Sequence, residues 1–142
     1  MKKVVLFSVI SLMLFGCNGS QNESNANEND PILGTWKLTS KTLHTTVDTP
    51  IALKPCELET TYTFKAEGAK FTGEQLTYHT ATTDCGTEAL LGRWGHENDS
   101  YYMIYNNNTV SVTWSEVIIS GSTMTASVVN GESSTVYTWT KQ

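Results

Sequence analysis

From Ile32 onward the apolar and polar side chains alternate with a period of two. Leu58, Thr60, Tyr62 and Phe64 share one face of a run, and Val110, Val112 and Trp114 share one face of another. A strand turns successive side chains to opposite faces, so this spacing reads as β-structure with one side in a core. The same region is rich in Thr, Val, Tyr and Trp and is punctuated by Gly and Asn, as strands between tight turns are. The pattern predicts eight runs: Gly34–His44, Glu57–Ala66, Ala69–His79, Leu90–Gly95, Ser100–Tyr105, Thr109–Ser120, Thr123–Val129 and Ser133–Lys141. Glu67-Gly68, Asn106-Asn107-Asn108, Gly121-Ser122 and Asn130-Gly131 supply the turns, the last being a strong hairpin signal. No window has a 3.6-residue apolar period, so no long helix is predicted.

Two runs change phase midway. Val117 and Ile119 have the opposite parity to Val110, Val112 and Trp114, and Phe71 disagrees with Leu76 and Tyr78. Each shift predicts a β-bulge, the device that bends a strand around a barrel. Short sequential strands with tight turns predict an all-β fold, an eight-stranded antiparallel up-and-down barrel that removes exposed edges by closing on itself. A barrel of that size is filled by its own side chains or holds one small ligand.

The N-terminus has a different pattern. Lys2 and Lys3 precede the mostly apolar stretch Val4–Phe15, too short to span a bilayer as a helix and organised like a secretory signal. Leu14-Phe15-Gly16-Cys17 resembles the bacterial lipobox, in which the cysteine is acylated and becomes the first residue. Residues 1–16 are therefore expected to be a lipoprotein signal peptide and Cys17 a lipid anchor; two or more acyl chains hold a protein stably at a membrane. Asn18 to Pro31, "NGSQNESNANENDP", has a single alanine as its only apolar side chain, too little to form a core. Residues 17–31 then read as acylated cysteine plus disordered tether, with a reach of roughly 20 Å, and residues 32–142 as the barrel domain. The expected location is a bacterial cell envelope, with the lipid anchor in a membrane.

With residues 1–16 removed, 7 Lys plus Arg face 14 Asp plus Glu. No basic stripe invites nucleic acid, and the acidity reads as solubility. Cys56 and Cys85 remain once Cys17 is assigned. In an exported chain two cysteines suggest one disulfide, the other reading being two unpaired thiols.

Ile32 to Ser40, "ILGTWKLTS", resembles the Gly-x-Trp opening of lipocalins, carried here by Gly34, Thr35 and Trp36. "TYTFKAEGAKFTG", "LLGRW" and the closing "STVYTWTKQ" extend the likeness to the small lipocalin-like lipoproteins of Gram-negative bacteria. The resemblance implies that Trp36 packs across the closed end of the barrel under a basic residue from the last strand, for which Lys141 is the candidate. It also implies carriage of a hydrophobic ligand without chemistry. The long first loop of that family is short here, and no Thr-Asp-Tyr motif or C-terminal helix is expected within residues 32–142. Alternating strand directions place Cys56 and Cys85 at one rim, opposite Trp36, where a bridge would pin two loops of the mouth.

Candidate chemistry is sparse. His44 and His79 fall at one rim and His96 at the other, which argues against a three-histidine metal site; a two-histidine site at His44 and His79 is the remaining metal option. No nucleophile elbow, phosphate loop or zinc-protease motif is present. Glu57 with Glu59 and Asp84 with Glu88 are paired carboxylates of an acidic surface. No catalysis, cofactor or nucleic-acid partner is expected, and the chain is expected to be a monomer. Tyrosine and tryptophan join apolar area to a polar tip, suited to an amphipathic ligand. Leu58, Tyr62, Tyr78, Met103, Tyr105 and Val112 are the predicted lining. The alternative is a protein-interaction lipoprotein, such as an enzyme inhibitor or envelope scaffold, with a filled barrel and Glu57, Asp84 and Glu88 meeting a basic partner. A cavity of a few hundred Å3 open at the Cys56–Cys85 rim would favour ligand binding, and an interior filled by aromatics would favour the alternative.

Overall fold

The computed structural model describes residues 28–142. The predicted signal peptide, Cys17 and most of the predicted tether lie outside that range. Nine strands follow one another: β1 (Gly34–His44), β2 (Asp48–Ile51), β3 (Thr61–Phe64), β4 (Lys70–His79), β5 (Asp84–Glu97), β6 (Ser100–Tyr105), β7 (Val110–Ser120), β8 (Thr123–Asn130) and β9 (Ser133–Lys141). All neighbours pair antiparallel, and β1 pairs with β9, so eight of the strands close into a barrel.

The ninth strand was not expected. β1 is long enough to carry two partners in succession on one side. Its first half, Gly34–Lys37, pairs with β3, and its second half, Lys41–His44, pairs with β2. The stretch after the first strand is thus a short hairpin and not only a loop. Two further boundaries move. The predicted second strand begins at Thr61, because Glu57–Glu59 form a 3-10 helix in which Glu57 Oε2 accepts a 2.8 Å hydrogen bond from the Lys54 amide. The predicted fourth strand begins at Asp84, because Asp84–Ala89 pair with the upper half of β4.

One predicted bulge is present. The β7–β8 register shifts between Ser115 and Ile118, and Glu116 there has φ 51°. The other is absent, since β4 runs against β5 without a shift. Leu76 and Tyr78 are half-buried for another reason. β3 has ended beside them, and the segment before it takes its place. Thr60 Oγ1 accepts a 3.0 Å hydrogen bond from the Leu76 amide, and the Lys54 ammonium lies 5.2 Å from the Tyr78 ring centroid. A bulge that the pattern did not signal falls in β1, between Leu38 and Ser40.

The floor of the barrel is built around Trp36, which is fully buried. Its Nε1 donates to the Ile32 carbonyl at 2.6 Å. Lys141, its cross-strand partner, places Nζ 5.3 Å from the ring centroid, a separation at which a cation–π contact contributes about 0.5–2 kcal/mol. Gly34 makes room for it: at φ +122°, a Cβ would meet Lys141 Cε at 2.7 Å. Phe64, Phe71, Trp94 and Met124 complete the buried layer.

Contacts with the barrel begin before Ile32. Asp30, expected in the tether, is buried and is held by three donors. Its carboxylate accepts from the Ile32 amide at 3.0 Å and the Tyr101 hydroxyl at 2.7 Å, and His96 Nδ1 lies 3.0 Å from Oδ2. Three partners compensate the loss of water around a buried carboxylate.

At the opposite end Cys56 and Cys85 form a disulfide with Cα atoms 6.4 Å apart. Cys85 lies within β5, across from Tyr78, not in a loop between strands. The bridge ties the 52–60 segment to the β4–β5 hairpin, where β4 has run past the end of β3. Closing 29 residues of chain contributes about 3–4 kcal/mol through the unfolded state. Urea unfolding with and without a reductant checks this. The midpoint is expected to fall by the equivalent of about 3 kcal/mol, and an unchanged midpoint would show that the bridge is not formed.

Candidate functional site

The upper half of the barrel holds a cavity of about 230 Å3. Its floor is aromatic. Tyr62 lies 4.6 Å from Trp139 and stacks on Trp114 at 5.8 Å, and Phe71 meets its ring edge-on at 5.2 Å. Leu38, Met103, Val112 and Val128 supply aliphatic wall, while Lys41, Thr60, Gln75, Tyr105 and Tyr137 bring polar atoms to it.

Strand parity explains this lining. Met103 and Val112 are directly opposed on β6 and β7, as are Tyr105 and Val110. On the closing seam Lys41 opposes Tyr137, and Leu38 opposes Trp139. The β1 bulge between those two pairs brings both Leu38 and Lys41 to the cavity although their parities differ. The wall is thinner between β7 and β8. Their ladder starts at Ser115 and Ser127, so Val110–Trp114 have no β8 partner. Val112 and Val128 border both the cavity and a shallow outer groove at this split.

The cavity phenols are shifted upward. Burial pushes the Tyr62 hydroxyl well above its ordinary pKa, with smaller contributions from Tyr105, Tyr137 and Glu88. Burial, then Glu88 and Tyr137, raise Tyr105, and burial alone raises Tyr137. These groups stay neutral hydroxyls at physiological pH. Tyr62 donates to Gln75 Oε1 at 2.8 Å. Tyr101, at the other end, is raised by burial and by its hydrogen bond to Asp30.

Of the six lining residues predicted, Tyr62, Met103, Tyr105 and Val112 border the cavity, and Leu58 and Tyr78 do not. Leu58 sits in the 3-10 helix, where the period of two no longer holds. Tyr78 lies beside Lys54 at the top of β4. Lys41 and Gln75 were not foreseen, and Tyr137 and Trp139 were not among the six. Trp139 and Tyr137 alternate within β9 and were legible by parity. Lys41 was hidden by the unpredicted bulge.

Most of the remaining candidates have local partners. His44 pairs with Asp48, and His96 with Asp30 at the floor. Among the described residues no three His, Cys, Asp or Glu side chains gather as a metal site. Glu59 pairs with Lys37 at 2.6 Å, Glu88 accepts from Asn106 Nδ2 at 2.6 Å, and Asp84 accepts from Thr82.

A closed antiparallel barrel with a capped floor, an aromatic interior and a cavity toward the other end defines a small up-and-down barrel with internal space. The lipocalin-like domain family matches residues 32–126, and the chain belongs to that family. The match ends within β8; β9, which completes the barrel, lies beyond it. No curated protein sequence matches the chain. A solved structure named odorant binding protein OBP1 is similar at 12% identity, covering 79% of this chain and 72% of its own, with a TM-score of 0.45.

The raised phenols make an alkaline prediction. A group whose folded pKa is raised contributes stability in full below its unfolded value, near pH 10 for tyrosine, and loses it as pH climbs through the folded value. Unfolding free energy, followed by urea titration in steps above pH 9, is expected to decline from about pH 10 upward. Tyr62→Phe should make the decline shallower; an identical slope in that variant would contradict the assignment.

Proposed function

We propose that this chain is a lipid-anchored binding protein that holds a small amphipathic molecule in the upper half of its barrel and does no chemistry on it. The observation that carries this reading is the cavity of about 230 Å3, with its aromatic floor and polar rim. Its volume lies just under the range of pockets for drug-sized ligands. It suits a compact molecule, or a longer one whose end projects from the mouth. Tyr62, Trp114 and Trp139 supply flat apolar area, and Tyr105 and Tyr137 supply hydroxyls where the wall meets water.

Membership of the lipocalin-like family supports ligand binding. The resemblance of Leu14–Cys17 to a lipobox supports an anchor at Cys17, with the chain acting as a monomer at the outer membrane of a Gram-negative envelope. The reading as an inhibitor or scaffold requires a filled interior, and aromatics fill the lower half only. Glu59, Glu88 and Asp84 are already engaged by neighbours within the chain.

Native mass spectrometry of the purified full chain tests the proposal. A small molecule is expected to accompany the protein in a one-to-one complex. Val112→Trp, which fills the cavity from a half-buried position, is expected to abolish the adduct while leaving the urea midpoint within about 1 kcal/mol of the parent. An adduct that persists in Val112→Trp places the ligand elsewhere and contradicts the cavity as the site.

A further inference from the structure

We infer that the polar end of the ligand is a carboxylate, held by Lys41 and the Tyr137 hydroxyl on the β1–β9 side of the mouth. The inference rests on the cavity being the binding site. It follows from the hydrogen-bonding capacity that the wall leaves unused.

Thr60 Oγ1 is occupied by Leu76, accepting from its amide and donating to its carbonyl. Tyr62 donates to Gln75 Oε1 at 2.8 Å, which engages the acceptor end of that amide and leaves its NH2 group. Among the described residues, the Tyr105 and Tyr137 hydroxyls have no hydrogen-bond partner, and the Lys41 ammonium has no carboxylate partner. Lys41 Nζ instead lies 5.5 Å from the Tyr137 ring centroid. Trp139 Nε1 is buried without a partner.

What remains on the cavity surface is a set of groups able to donate: an ammonium, an amide NH2 and two hydroxyls. An ammonium and an amide NH2 cannot accept. The complement of such a wall is a group made of acceptors, and Lys41, the sole charged residue on the lining among the described residues, favours a negative one. A ligand amine would meet Lys41 with like charge.

Charge also fixes the side. Glu88 on β5 faces the cavity residue Gln75 across the β4–β5 ladder, and a carboxylate there disfavours an anion on that wall. Lys41 and Tyr137 face each other across the β1–β9 ladder, so one carboxylate can meet both. The apolar body then points down toward Met103, Val112 and the Tyr62–Trp139 pair.

The test uses octanoate and 1-octanol, which share a tail and differ in the head. Each is titrated into the full chain at neutral pH, and binding is read by the fluorescence of the tryptophans that line the cavity. Octanoate is expected to bind about tenfold more tightly or better. Lys41→Met should bring the two ligands within about threefold by weakening octanoate alone, and Lys41→Arg should keep the preference. Tyr137→Phe provides a second variant that keeps the ring, and it should weaken octanoate more than octanol. Equal binding of both by the parent overturns the carboxylate and leaves the cavity reading intact. An undiminished octanoate preference in Lys41→Met overturns the Lys41 assignment. Failure of both to bind overturns the inference and the cavity reading together.

Discussion

The ladder between β1 and β9 is the contact on which the rest of the structure depends. It joins the first barrel strand to the last across about a hundred residues, and it has the cost of closing that length of chain. Without it β1 and β9 would be free edges of an open sheet, and a free edge is a template for pairing with another chain. With it, both ends of the molecule are defined at once. Trp36 opposite Lys141 marks the floor, Lys41 opposite Tyr137 marks the mouth, and the bulge between Leu38 and Ser40 sets how the two are turned relative to each other.

The aromatic side chains divide the interior. Below, Trp36, Phe64 and Trp94 are packed without exposure, and the indole N–H groups of Trp36 and Trp94 donate to the carbonyls of Ile32 and Lys65. Above, Tyr62, Trp114 and Trp139 form a platform on which packing stops. The disulfide and the 52–60 segment hold the mouth where β3 is too short to do so. Asp30 performs a similar task at the floor, where it fixes the chain entering the barrel. Rigidity at both ends is what allows a gap to persist between them, since an interior of ordinary packing density would otherwise collapse into it.

Much of this was legible in the chain. Strand order, the Asn130-Gly131 hairpin and the bulge near Glu116 follow from local signals or from meander topology, and the pairing of Trp36 with Lys141 from the resemblance to lipocalins. The features that were not legible have tertiary causes. Asp84–Ala89 carry no alternation of their own and become a strand because the edge of β4 is there to be paired. Leu58 continued the alternation of Tyr62 and Phe64 by parity, but the hydrogen bond from the Lys54 amide to Glu57 and the bridge at Cys56 turn that segment into a 3-10 helix. Asp30 is one acidic residue in a polar tail, and only the fold brings Tyr101 and His96 to it. Lys41 enters the site through a bulge that no parity change announces.

Amide hydrogen exchange on the folded chain tests the closure most directly. The account predicts that the β1 amides bonded to β9, within Leu38–His44, exchange as slowly as those of the β4–β5 ladder, because both open only when the barrel opens. Fast exchange along β1 and β9, with β4 and β5 still protected, would mean an open sheet, and an open sheet has neither a floor nor a cavity.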